Sequence, residues 1–387
     1  MTGRLRALGE TARVMLKLGV LAFGGPLAHI GMLEDEVVER RRWLSRQHFL
    51  DLVGATSLLP GPNSTQMMMH VGYERAGWLG LLVAGFSFVL PAALITLALA
   101  ALYVAYGTVP AVESLLWGIK PAVLIIILAA VWRLGRSAMK TWREMVLGAV
   151  VLVAVLLGTN EIRALFVGAV VGAVWLWLTR GRMPSVNLAL LPALGEMAAD
   201  GVESASEAVP LTLQSLGLFF LKVGAVLYGS GYVLVVFLEG DLVERFGWLT
   251  SDQLLDAIAI GQMTPGPLLT TATFVGYLLL GVPGATVATL AIFLPSVILV
   301  GLFNRVIAKL RARPWTGAFL DSVNSVALAL MAAVVFKLAL AALTGWQAWL
   351  IAIVSAVAVF RLRLHSAWLI AGAAVLGYLL RLVSFGS

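Results

Sequence analysis

The tripeptide Pro60-Gly61-Pro62 recurs as Pro265-Gly266-Pro267, 205 residues later and in the same setting. Residues 16–62 lie over 221–267 without a gap. Sixteen of those forty-seven pairs are identical, among them Lys17/Lys222, Gly24/Gly229, Glu34/Glu239, Arg40/Arg245, Trp43/Trp248 and Asp51/Asp256. One residue is then lost and the match resumes at an offset of 204, with Gly72-Tyr73 over Gly276-Tyr277 and Leu90-Pro91 over Leu294-Pro295. The chain thus reads as a duplicated unit whose helix breakers are kept in both copies. In apolar chains, matched breakers in two halves are a pattern of secondary transporters.

The apolar character is strong. Of 387 residues, 60% are hydrophobic and 12% charged, against about 25% charged in soluble domains. Several apolar runs reach the ~20 residues needed to cross a hydrocarbon core, so the lipid bilayer is the first partner implied. There is no cysteine, which excludes disulfides and thiolate metal sites. The net charge of +7 does not imply nucleic acid, because the basic residues cluster at the ends of apolar runs, where they act as topology signals. Arg4, Arg6, Arg13 and Lys17 are spread along the N-terminal segment, which lacks the pattern of a cleavable signal. His29, His48, His70 and His365 have no metal-ligand spacing, and Met67-Met68-Met69 points to three helix faces. No phosphate-binding loop, nucleophile elbow or zinc-protease motif is present, so no enzyme activity, cofactor or metal is expected.

Along the chain, a basic entry helix over 1–12 precedes a first span at 13–33, broken at Gly24-Gly25-Pro26. A polar loop over 34–46 follows, then short helices at 47–59 and 63–76 on either side of Pro60-Gly61-Pro62. Each arm is under twenty residues, so the pair reads as a re-entrant hairpin. Spans follow near 78–105, 111–134, 143–158 and 162–179. The second half repeats the plan with 211–238, a hairpin over 250–282, and spans near 284–304, 316–343, 345–360 and 364–382. An acidic linker over 183–210, with Glu196, Asp200, Glu203 and Glu207, separates a repeat over 1–182 from one over 211–387. Orientation follows from Lys and Arg, which accumulate in cytoplasmic loops. With a re-entrant hairpin, five basic clusters share one side: Arg40–Arg42, Arg133–Arg143, Arg180/Arg182, Arg305–Arg313 and Arg361/Arg363. The fold class expected is therefore an all-α polytopic membrane protein of two inverted repeats, each with about five spanning helices plus a hairpin. The basic N-terminal arm is the exception to the charge rule.

Four groups of residues are candidates for chemistry. A helix starting after Pro62 leaves the N–H groups of Asn63, Ser64 and Thr65 without intrahelical partners, at the positive end of the helix dipole. Such an end binds anions, with Asn63, Ser64, Thr65 and Gln66 as side-chain donors; the second copy offers Leu268, Leu269, Thr270 and Thr271. Lys17 and Lys222 lie in apolar sequence, where a lone charge costs about 2.5–3.5 kcal/mol even on mild scales. Two such cations facing one cavity suit a dianion. Gly24-Gly25-Pro26 and Gly229-Ser230-Gly231 are matched break points that admit close backbone approach. Glu34 and Glu239 either pair with Arg40 and Arg245 or couple protons. A binding set follows: Lys17, Lys222, Gly24, Gly25, Pro60, Gly61 and Pro62; Asn63, Ser64, Thr65 and Gln66; Gly229, Ser230, Pro265, Gly266, Pro267 and Thr270.

The run from Phe23-Gly24-Gly25-Pro26 through Trp43-Leu44 to Leu59-Pro60-Gly61-Pro62-Asn63-Ser64, and its second copy from Tyr228-Gly229-Ser230 through Trp248-Leu249 to Gln262-Met263-Thr264-Pro265-Gly266-Pro267, resembles the chromate ion transporter family in its long, two-domain form. The resemblance covers nearly the whole chain. It implies export of chromate across the bacterial inner membrane, with sulfate as a related or competing oxyanion, and halves of opposite orientation. The residues after the second tripeptide, Leu268 and Leu269, are less polar than those after the first. A carrier for another anion or an organic acid, and a non-transporting membrane protein, are the rival readings. Drive by a proton or a counter-anion, and a homodimer, are left open.

Overall fold

The computed structural model describes residues 2–23, 25–107, 109–159, 161–179, 209–228, 231–303, 314–362 and 364–385. Gly24, Gly229 and Ser230, and nearly all of the acidic linker, lie outside the described residues.

Two sequence expectations change at the N-terminus. The entry helix and the start of the first span are a single helix, α1 (Thr2–Leu21). Beyond the break, α2 (Pro26–Glu34) begins with proline at its first position, which needs no N–H donor there, and runs into a π-helical turn, Asp35–Arg40. The break does not interrupt a straight span. Nineteen residues of straight helix would separate Lys17 from Glu36 by about 28 Å, yet their side chains bond directly. The chain therefore turns back at the break, where Gly25 takes φ 81, a conformation that glycine adopts without strain. The second half does the same. After α8 (Leu213–Val226) come the turn Gly231–Val233, the short α9 (Leu234–Phe237) and a π-helical turn, Leu238–Arg245. Lys222 meets Asp241 at 2.6 Å, again nineteen residues on.

The two Pro-Gly-Pro segments come next. α3 (Arg46–Thr56) leads to Pro60-Gly61-Pro62 and α4 (Asn63–Tyr106); α10 (Ser251–Met263) leads to Pro265-Gly266-Pro267, a 3-10 turn Leu268–Thr270 and α11 (Thr271–Phe303). Both long helices are kinked at one matched place. Gly77 has φ 65, ψ −150, and Gly281 has φ 62, ψ −153. The limbs fold against each other so closely that a Cβ on Gly72 would lie 2.3 Å from the Gly80 carbonyl oxygen, and one on Gly276 2.4 Å from that of Gly284.

α1 packs on α4 as α8 packs on α11, with Gly19 against the Phe88 carbonyl and Gly224 against that of Ile292. The remaining helices are α5 (Pro110–Ala138), α6 (Trp142–Leu156), α7 (Glu161–Thr179), α12 (Pro314–Ala342), α13 (Trp346–Phe360) and α14 (Ser366–Phe385). They are exchanged between the halves: α6 and α7 pack on α12, and α13 and α14 on α5. One core cluster accordingly joins Ile127, Val151 and Leu165 to Phe220, Ile258 and Leu330. α4 and α11 cross with opposite ends together, Trp78 lying on Gly301 and Ala92 on Gly266.

Among the described residues, four helical stretches are long and apolar enough to cross a membrane: Asn63–Tyr106, Pro110–Arg136, Leu268–Phe303 and Gly317–Ala342. Phe86, Leu290, Leu340 and Trp368 lie exposed on the surface. That is costly in water and suited to lipid contact.

Candidate functional site

The two tripeptide tips reach across the molecule, each to the break of the other half. Gly61 donates its N–H to the Leu227 carbonyl at 2.5 Å, and Gly266 donates to the Ala22 carbonyl at 2.9 Å. These acceptors lie one residue past the ends of α1 and α8, among the carbonyls that a helix end leaves without intrahelical partners. Neither tip has room for a side chain. A Cβ on Gly61 would lie 2.3 Å from Ser296 Oγ, and one on Gly266 2.8 Å from Ala92 Cβ.

The tips differ in chemistry. At the first, α4 starts at Asn63 with no side-chain cap. Ser64, Thr65 and Gln66 are buried. Gln66 donates to the Pro60 carbonyl at 2.7 Å and to Ser296 Oγ at 3.3 Å, so its amide fills the space inside the turn. Asn63 Oδ1 and Thr65 Oγ1 are buried without partners. His29 ties this tip to its own break: Nε2 donates to the Ala22 carbonyl at 3.0 Å, which leaves Nδ1 to accept from Ser64 Oγ at 3.3 Å. At the second tip, Thr270 and Thr271 spend their hydroxyls on the Pro267 and Leu268 carbonyls at 2.9 and 2.8 Å. Thr264 bonds the Ile260 carbonyl at 2.5 Å.

The space lies at the second tip. A cavity of about 30 Å³ sits where Gly25 and Pro26 of the first break, Gly231 and Tyr232 of the second, and Gly266 and Leu268 of the second tip converge. Gly261, Gln262, Thr264 and Ser366 complete its wall. Tyr232 donates to Gln262 Oε1 at 3.4 Å, while Gln262 Nε2 is buried without an acceptor. A neutral donor of this kind suits an anion, and an unfilled one is costly to bury.

Of the sequence candidates, then, Gly25 and Gly266 line the cavity. Pro60, Gly61, Pro62 and Asn63 to Gln66 build the opposite tip, and Pro265, Pro267 and Thr270 shape the near one. The lysines are placed otherwise than expected. Neither faces the cavity. Lys17 bonds Glu36, whose side chain is 7% exposed, and Lys222 bonds Asp241, 3% exposed. The chain reversal at each break returns a carboxylate to each lysine, so their charges are already matched. The partners Glu36 and Asp241 occupy equivalent positions, and this is the signal that sequence reasoning passed over. The pairing of Glu34 with Arg40 is also corrected: Glu34 meets Arg46 at 3.4 Å, and Arg40 meets Asp35 and Glu36 at 3.0 and 3.4 Å. Six residues apart along the helical run, Glu34 and Arg40 fall on different faces. Glu239 accepts from Ser251 at 3.2 Å. The Lys17 ammonium, against the opposing effect of partial burial and with help from Arg41 and Arg40, holds the Glu36 carboxyl below its ordinary range. Nothing in the spacing of Gln262 within its motif marks it as a wall of the cavity.

Comparison with known proteins settles the family. The family model for chromate transporters matches residues 9–175 and again 214–378. The chain belongs to the chromate transporter family. It is 33% identical over 378 residues to a chromate transport protein of Cupriavidus metallidurans, covering 96% of this chain and 92% of that one. It is 32% identical over 366 residues to a probable chromate transport protein of Synechococcus elongatus, covering 92% and 91%. An uncharacterised transporter of Bacillus subtilis matches 121 residues at 31% identity, 68% of its own length but 31% of this chain, so that relative is about half as long. No solved structure matches. With its apolar helices, this chromate transporter family member is a multi-pass membrane protein.

Proposed function

We propose that this protein is a secondary carrier that exports chromate, a tetrahedral dianion, across the bacterial inner membrane by alternating access, with sulfate as a competing oxyanion. The observation that carries the reading is the cavity at the second tip, where both breaks converge and the Gln262 amide has no acceptor. Chromate is the substrate named for the two long relatives.

In this reading, residues 1–182 and 211–387 are inverted repeats joined by the segment over 183–210. The opposed crossing of α4 and α11 supports inversion, and the kinks at Gly77 and Gly281 support re-entrant hairpins. The anion is held by the Gln262 amide and by the Leu268 backbone N–H, where a helix begins. Glycine at 25 and 266 lets backbone approach the ligand, and Gly24, Gly229 and Ser230 belong to the same breaks. Asn63, Ser64, Thr65, Gln66 and Thr270 hold the tips in register. Lys17 and Lys222 hold the reversed segments of each half through Glu36 and Asp241. Glu34 and Glu239 tune the loops that hold their carboxylate partners. Exchange of α6–α7 and α13–α14 between halves supports a rocking motion in which one half cannot move alone.

The test is chromate uptake into everted membrane vesicles containing the protein. Saturable uptake above a vesicle control, inhibited by sulfate and not by carboxylates, is expected. Uptake equal to the control, with the protein inserted, overturns the proposal.

A further inference from the structure

A second cavity, of about 340 Å³, lies at the ends of five helices and is lined by Tyr103 and Gly107 of α4, Lys120 of α5, Asp252 and Asp256 of α10, and Arg381 of α14. Its charges cancel in pairs. Lys120 meets Asp252 at 2.8 Å, and Arg381 meets Glu113 at 3.2 Å. Asp256 is left over. It is 4% exposed; Oδ2 accepts from the Tyr103 hydroxyl at 2.9 Å, and Oδ1 is buried with no partner. Lys120, already paired with Asp252, is the cation whose field also reaches Asp256, with Asp252 opposing it; α12 contributes Ala341 and Ala342 to the wall, and the turn Leu238–Arg245 brings Glu239 to Ser251. Asp51, the equivalent residue in the first half, sits exposed beside Gln47 at 3.2 Å.

The same helix joins the two cavities. Gln262 lies six residues beyond Asp256 on α10, about 9 Å along the axis. A buried carboxylate there opposes a dianion beside Gln262, and a neutral acid does not. We propose that Asp256 is a proton-binding site linked to the anion site: an anion at the tip cavity draws a proton from the second cavity onto Asp256, converting carboxylate to carboxylic acid, and the proton leaves when the anion does. By reciprocity, protonation tightens anion binding by the same factor. This inference rests on the tip cavity being the anion site, and it assigns the proton, rather than a counter-anion, as the coupled species.

The test is chromate binding to the purified full-length protein in weak buffer, following both affinity and proton uptake. Chromate titrates in the same pH range, but wild type and variant see the same ligand, so their difference reports the protein. Wild type takes up more protons per chromate than Asp256→Asn. Chromate affinity of the wild type rises about tenfold more on acidification than that of the variant. Equal proton uptake and equal pH dependence in the two proteins overturn the inference while leaving chromate binding intact; absence of chromate binding by the wild type overturns the anion site itself. If Asp256→Asn does not fold, Tyr103→Phe decides. Loss of the donor moves the pH of half-maximal proton uptake upward, and an unmoved profile overturns the proposal.

Discussion

The two Pro-Gly-Pro tips share a backbone and differ in what surrounds them. Both turn at Pro-Gly-Pro and both cap the opposite half's break. The first carries the polar side chains but is filled by Gln66; the second carries Leu268 and Leu269 but borders the cavity. Duplicated geometry thus does not imply duplicated chemistry. The richer set of donors is engaged within the fold, and the second tip borders the cavity.

The lysine pairs give the largest expected contrast between halves. Lys222→Met leaves Asp241 buried with Arg245 at 3.9 Å, and should cost about 3 kcal/mol of stability. Lys17→Met leaves Glu36 with Arg40 and Arg41 at 3.4 and 3.3 Å, and should cost about 1 kcal/mol. Thermal unfolding in detergent measures both, and Lys222→Met/Asp241→Asn should recover part of the larger loss. Equal losses would mean that the two pairs are equivalent after all.

The tip glycines come next. Alanine at either position is strained by φ 125 at Gly61 and φ 89 at Gly266. Beyond that, Gly61→Ala meets the movable ends of Ser296 and Gln66, whereas Gly266→Ala meets Ala92 Cβ and the Gly19 carbonyl. We expect Gly266→Ala to be the less stable of the two by about 1 kcal/mol, read as a lower Tm. Smaller still is a pH effect. The carboxyl of Glu36 is held below its ordinary value of 4.5, so its contribution is complete above that pH and is lost as pH falls through the lowered value. Unfolding followed from pH 6 downward should show a loss that Lys17→Met reduces. His29→Leu, which installs the residue found at the matched position 234, should cost about 1 kcal/mol at the first tip and leave chromate affinity unchanged.

Much of the architecture was legible in the sequence. The matched Pro-Gly-Pro motifs and the break glycines mark where helices stop. The reversal at each break was not, because Gly24-Gly25-Pro26 says that a helix ends without saying which way the chain goes next; only the Lys17–Glu36 contact fixes that. The exchange of α6–α7 with α13–α14 was hidden for a related reason: helix faces of similar apolarity do not name their partners. At the site, residue type identified Gly25 and Gly266. Asn63, Ser64 and Gln66 look available in sequence and are engaged or enclosed in the fold.

The division between tips is tested most directly by chromate affinity of the purified protein, comparing Gln262→Ala with Gln66→Ala. The account predicts that Gln262→Ala raises Kd about tenfold, about 1.4 kcal/mol, while Gln66→Ala lowers Tm and leaves Kd within about twofold. Lost affinity in Gln66→Ala with normal affinity in Gln262→Ala would contradict it and move the anion site to the first tip.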